Sequence, residues 1–221
     1  MDMSASSEKR LGSIDYQSLL RSADKLAGEE LISYLEKELY FEWCEAYESM
    51  TERSIEIIRI PCDTFNYLFD CQPLYGVDDS IPLGLQPKPR VVVAYGRSAP
   101  RPKARDDYRL KGWLGATEKS FGADWDKGHF IAHSIGAVVD RNEVNVFPQQ
   151  RHLNRGWSTA GKLFRQMEKE CSSSPGAFLF NRPIYEDDIS FTPAFLEFGI
   201  LRSSGELWVE RFDNRPKETR S

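Results

Sequence analysis

Nothing in the 221 residues approaches the ~18 consecutive apolar positions that a membrane-crossing helix needs. The first twelve residues are polar and charged and lack the apolar core of a secretory leader. The expectation is therefore a cytoplasmic protein with no membrane partner. Cysteine is sparse: Cys44, Cys62, Cys71 and Cys171 form no CxxC pair and no framework spacing, so reduced thiols are expected. Histidine is sparser still, with only His129, His133 and His152. No HExxH occurs, and an HxxxH on a strand would put His129 and His133 at a separation poor for one zinc ion. No internal repeat is visible.

Hydrophobic residues make up 40% of the chain and aromatics 12%, enough for a substantial core in one large domain or a core domain with an appendage. The net charge of −5 argues against a nucleic-acid partner, but the distribution is uneven. Residues 1–87 carry 7 Lys/Arg against 17 Asp/Glu, and residues 88–221 carry 22 against 17. Lys88, Arg90, Arg97, Arg101, Lys103, Arg105, Arg109 and Lys111 crowd one segment. Such clusters give sequence-independent affinity for phosphates, although a solvated charged loop is the plainer reading.

The pattern predicts helices over 14–50. Asp15 caps the first, Gly28 breaks it, and Leu31, Leu35, Leu39, Trp43 and Tyr47 form one apolar stripe on the second. Its opposite face is acidic, suited to a partner or a homodimer, but a stripe at this spacing reads first as core. Strands are expected over 54–60, 90–95, 129–134, 143–147, 177–180 and 207–212, with a linker or long loop over 73–89. A helix is expected from about Asn154, with a restart near 158–161, ending at Glu170. The domain reading is a helical region 1–50, a main domain 51–214 whose boundary could lie nearer 85, and a tail 215–221. Together these define an α+β fold with a mixed or antiparallel sheet.

The densest chemistry lies in Asp126-Lys127-Gly128-His129, then Asn145-Val146-Phe147-Pro148-Gln149, then Leu153-Asn154-Arg155-Gly156-Trp157. A strand–strand–helix unit would bring these three stretches together. Cutting a phosphodiester requires a base to deprotonate water near neutral pH, and histidine suits that task. It requires a divalent cation beside the phosphate oxygens and further positive charge to offset what grows on phosphorus. Mg²⁺ takes oxygen ligands and keeps several waters, so a single asparagine carbonyl can be its only protein ligand. Taken singly, each residue has a bland reading: His133 and His152 as surface or satisfied core residues, Asn145 and Pro148 as turn residues, Trp157 as a core anchor for the helix.

Taken in order, the three stretches resemble the non-specific DNA/RNA endonucleases of the ββα-metal, or His-Me finger, superfamily. Those enzymes carry Asp-Arg-Gly-His on the first strand, Asn-x-x-Pro-Gln on the second, and Leu-Asn-x-Gly with a nearby Trp opening the helix. The resemblance spans roughly residues 90–170. It implies His129 as general base, Asn154 as Mg²⁺ ligand (Mn²⁺ substituting), and Asn145 and Gln149 as supports that orient the site. Lys127 and Arg105 would stabilise charge on phosphorus, while Arg109, Gln149 and Arg155 would meet substrate.

Two positions depart from the pattern. Lys127 replaces the family arginine and loses its bidentate fork. Lys162 stands where the family places a glutamate, so Glu168 could supply that acid only if the helix is interrupted at 158–161; on one continuous helix it would lie about 20 Å from Asn154.

The implied activity is Mg²⁺-dependent endonucleolytic hydrolysis of DNA, with RNA as an alternative substrate. Two rivals remain: a nucleic-acid-binding protein without catalysis, and an adaptor or dimerisation module built on the N-terminal helices. An inhibitory or immunity protein is a further candidate partner. The acidic first half could also mimic nucleic acid and cover the basic segment.

Overall fold

The structure, a computed structural model, describes residues 12–51, 53–74, 86–100, 121–138 and 143–216. The fold is α+β. Helix α1 (Tyr16–Ser22) is capped by Asp15, whose Oδ1 accepts from the Ser18 N–H at 2.9 Å. It ends at Ser22, before Gly28. Gly28 does not break a helix but opens the next one, α2 (Gly28–Glu48), with φ +55°. The expected stripe of Leu31, Leu35, Leu39, Trp43 and Tyr47 is buried along the whole of α2.

Six strands form one antiparallel sheet in the order β1 (Ile57–Cys62), β2 (Phe65–Asp70), β3 (Arg90–Arg97), β6 (Phe178–Ile184), β7 (Phe195–Leu201), β8 (Leu207–Asp213). The sheet is covered on both faces. On one, Val92, Tyr95, Phe178 and Phe180 meet α1 and α2, with Trp43 packed on Tyr95 and Phe180 at 5.2 and 5.1 Å. On the other, Ala94, Leu179, Leu196 and Phe198 meet a second unit: a hairpin of β4 (Trp125–His129) and β5 (Val146–Gln150), then α3 (Arg151–Asn154) and α4 (Thr159–Ser173). A division near residue 85 would separate β2 from β3, which are hydrogen-bonded neighbours. The helices before residue 50 share a core with the sheet.

Strands buried on both faces lose the alternation of a half-exposed strand. That is why β2 and β7 escaped the sequence pattern: Phe-Asn-Tyr-Leu-Phe-Asp and Phe-Leu-Glu-Phe-Gly-Ile-Leu put apolar residues on both sides. Other boundaries also move. The strand expected over 129–134 lies upstream as β4, and His133–Ile135 is a 3₁₀ turn closed by Gly136 at φ +110°. His129 and His133 therefore do not share a strand. The strand expected over 143–147 is a 3₁₀ turn (Glu143–Asn145) followed by β5.

Candidate active site

The hairpin sets the geometry. Asp126 pairs with Gln149, Gly128 with Phe147 and His129 with Val146. Gly128 has a steric cause: a Cβ there would lie 2.4 Å from the Cβ of Gln149, whose side chain crosses over it. Gln149 is buried by that crossing, and its Nε2 has no hydrogen-bond partner among the described residues. Beyond the strand, Asn145 is fully buried. Its Oδ1 accepts from the Ile131 N–H at 2.8 Å, and its Nδ2 donates to the Ile131 carbonyl at 2.9 Å. This amide clip, with Phe130 stacked on Phe147 at 4.2 Å, fixes the chain leaving His129. Asn145 thus holds the backbone that leaves His129. Asn145→Ala would strand both backbone groups of Ile131, so it should lower stability by about 2–3 kcal/mol, read as a lowered urea midpoint.

The two helices meet at a break. Asn154 is the last residue of α3, not the first of a long helix, and Gly156 turns the chain at φ +69°. Ser158 then caps α4, accepting from the Gly161 N–H at 2.9 Å. Gly161 is needed because α3 passes close by: a Cβ would sit 2.4 Å from the His152 carbonyl oxygen. The expected interruption at 158–161 is therefore present.

Asp126 ties the hairpin to α3. Its carboxylate receives Arg151 Nε at 3.1 Å, Arg155 Nε at 2.7 Å, Arg155 Nη2 at 2.9 Å and Asn154 Nδ2 at 3.2 Å. Burial pushes this carboxyl up, but the hydrogen bonds from Arg155, Asn154 and Arg151 outweigh it and hold the group below its ordinary value. A carboxylate only accepts, so the end of the Asn154 amide facing it must be the NH₂. The carbonyl oxygen, the atom that could ligate a cation, is the other end. Arg151 and Arg155 are four apart, the spacing that puts both on one helix face. Two guanidinium groups thus meet one carboxylate, and partial burial shifts the neighbouring Lys127 down from its ordinary value.

Asp126, Asn154, Arg155 and Arg151 are brought together by direct bonds; Asp126 and Arg151 were not singled out from the sequence, although Asp126 lies inside the motif. His129 is half-buried at the end of β4, three residues or about 10 Å along the strand from Asp126. Strand alternation puts Lys127 and His129 on one face and Asp126 on the other.

Glu168 faces the core. Burial raises its carboxyl above the ordinary range against the pull of Arg165, which bonds it at 2.8 Å. Its observed bond is to Arg165, one turn back on α4. Trp157 is not a core anchor: it is 57% exposed. Arg105 and Arg109 lie outside the described residues. Two other cations of the basic segment have structural roles: Arg90 is buried against Tyr47, Tyr185 and Asp188, and Arg97 pairs with Glu29 at 2.8 Å and Glu36 at 3.6 Å on α2.

No protein-family profile matches the chain, and no curated protein matches it in sequence. Among solved structures it is similar to the NucA protein of Streptococcus agalactiae. One NucA structure, with no metal bound, aligns at a TM-score of 0.42 and 16% identity, covering 76% of this chain and 74% of that one. Another, with magnesium ion bound, aligns at 0.42 and 14%, covering 73% and 84%.

Proposed function

We propose that this chain is a Mg²⁺-dependent endonuclease that hydrolyses the phosphodiester bonds of DNA, with RNA as an alternative substrate. One observation carries the reading: the acid of the Asp126-Lys127-Gly128-His129 stretch bonds the side chain of Asn154 across the hairpin–helix junction. Two stretches 28 residues apart in sequence are thus joined at one point. The bond also selects the oxygen of Asn154 as the end left for a cation.

The donor set suits a hard cation. Among the described residues no group of three or more His, Cys, Asp or Glu side chains is gathered. A protein-caged zinc site would need such a group, whereas one amide oxygen suits Mg²⁺ that keeps most of its waters. The electrostatics point to joint binding. A lone divalent cation would enter surroundings in which Arg151 and Arg155 outnumber Asp126, but a phosphodiester beside it reverses the balance. When bound, the cation would offset charge on the phosphate and leaving oxygens.

The chain's own residues supply the rest. His129 accepts the proton of an attacking water. Asp126 holds Asn154 and Arg155 in place, and Arg155 with Lys127 neutralises the phosphate. The test is to incubate purified protein with supercoiled plasmid and Mg²⁺. Nicking and linearisation support the reading, and retained binding without cleavage replaces it with that of a non-catalytic nucleic-acid binder.

A further inference from the structure

Trp157 occupies the break between α3 and α4, three residues after Asn154. An indole that is 57% exposed gives up most of the stabilisation that burying it would provide. Its position is nevertheless well defined. The Trp157 backbone N–H donates to the His152 carbonyl at 3.0 Å, and the Ser158 backbone N–H reaches the same oxygen at 3.4 Å. The His152 ring stands edge-on to the indole, with centroids 5.8 Å apart and planes at 70°. The Arg155 guanidinium lies 5.0 Å from the indole centroid and is itself held by both oxygens of Asp126. An aromatic ring is thus kept in place yet left in solvent, beside the group of cations proposed to meet phosphate.

We infer that Trp157 is a stacking platform for an unpaired nucleobase, which makes single-stranded nucleic acid the preferred ligand of this site. The inference rests on the proposed phosphodiesterase reading for its ligand class and adds the form of the substrate. The reach is adequate: three residues of chain span at most ~11 Å, so the base of a nucleotide next to a phosphate at Asn154 lies within range of the indole. Every base has a π-face, so stacking on tryptophan tolerates any sequence. Inside a duplex both faces of each base are covered by neighbours, and only an unpaired base can stack on a protein ring. Arg155 draws the backbone toward the ring, in the way that cationic grooves and aromatic platforms combine in single-strand binders. A protein partner would also seek an exposed tryptophan, but the surrounding Arg151, Arg155 and Asn154 are phosphate-binding groups and not an apolar rim.

The experiment compares the full-length chain with Trp157→Ala and Trp157→Phe in EDTA, so that binding is read without cleavage. The probes are a fluorescein-labelled 12-nucleotide single strand and a duplex of the same sequence closed at both ends by non-nucleotide linkers. Fluorescence anisotropy should show wild type binding the single strand more tightly. Trp157→Ala should weaken that binding by roughly 5- to 150-fold, shift duplex binding by no more than about twofold, and Trp157→Phe should retain most of the preference. Equal losses on both probes, no loss on the single strand, or a wild type that binds neither would overturn the inference; the last outcome would leave Trp157 to a protein contact. The same preparations assayed with Mg²⁺ separate the two claims. Trp157-dependent binding without cleavage removes the phosphodiesterase reading and keeps the platform. Cleavage indifferent to Trp157 does the opposite.

Discussion

Replacing His129 by alanine is expected to cut the rate of Mg²⁺-dependent cleavage by about 10²–10⁴-fold. The magnitude is that of a general base removed from a site whose other parts stay in place. His129 is half-buried at the end of β4 and is followed by a segment held independently by the Asn145 amide on Ile131. Truncation should therefore leave the hairpin folded, which a thermal melt within a few degrees of wild type would show. Added imidazole should restore part of the lost rate, because a small base can occupy the vacated space and accept the same proton. His133→Ala, in the neighbouring 3₁₀ turn, is the control and should cleave like wild type. An unchanged rate in His129→Ala, or a loss that imidazole does not touch and that follows unfolding, would remove His129 from its role.

The second large effect concerns the fold. Arg182 on β6 stands directly across from Glu197 on β7, and both side chains are buried. Arg182 Nε reaches Glu197 Oε2 at 2.8 Å, and Nη2 donates to the Gly12 carbonyl at 2.6 Å. The same Glu197 oxygen accepts from the Tyr16 hydroxyl at 2.7 Å, and burial keeps that hydroxyl protonated by raising it well above its ordinary range. This network clasps Gly12 and α1 onto the sheet, where Tyr16 also stacks on Phe180 at 5.3 Å.

Removing one member leaves the other charge buried with too few partners, so Arg182→Ala should destabilise the protein by about 3–5 kcal/mol. The measurement is urea unfolding followed by tryptophan fluorescence. The double variant Arg182→Met/Glu197→Leu removes both charges and should recover most of the loss. A single variant that loses less than about 1 kcal/mol would show that solvent reaches the pair. A double variant no better than the single would show that the charges themselves hold the helix in place.

Local and periodic features were legible in the sequence. The α2 stripe is a five-point pattern at one spacing, and Asp15 announces its helix by capping. The order of hairpin and helix was legible because its turn residues and motif stretches are consecutive. The position of β4 was not. The expected strand starts at His129, and the reason for Gly128 lies on Gln149, twenty-one residues away in the partner strand. Long-range pairing likewise hid the roles of Arg90 and Arg97, whose partners Asp188 and Glu29 are 98 and 68 residues away. The spacing of the site residues suggested their convergence; it did not show that Asp126 is the point at which they meet, or that Asn145 and Gln149 are buried. Trp157 misled for a simple reason: hydrophobicity forecasts burial, and its exposure is set by the break at Gly156.

The central claim is that Asn154 holds a divalent cation for phosphodiester cleavage in a site that Asp126 organises. The most direct measurement is cleavage of an end-labelled DNA by wild type and Asn154→Ala across a Mg²⁺ titration. Wild type should be inactive in EDTA and saturate as Mg²⁺ rises. Asn154→Ala should stay folded, require far more Mg²⁺ and reach a much lower maximal rate. Cleavage by wild type in EDTA, or a Mg²⁺ dependence identical in Asn154→Ala, would contradict the account.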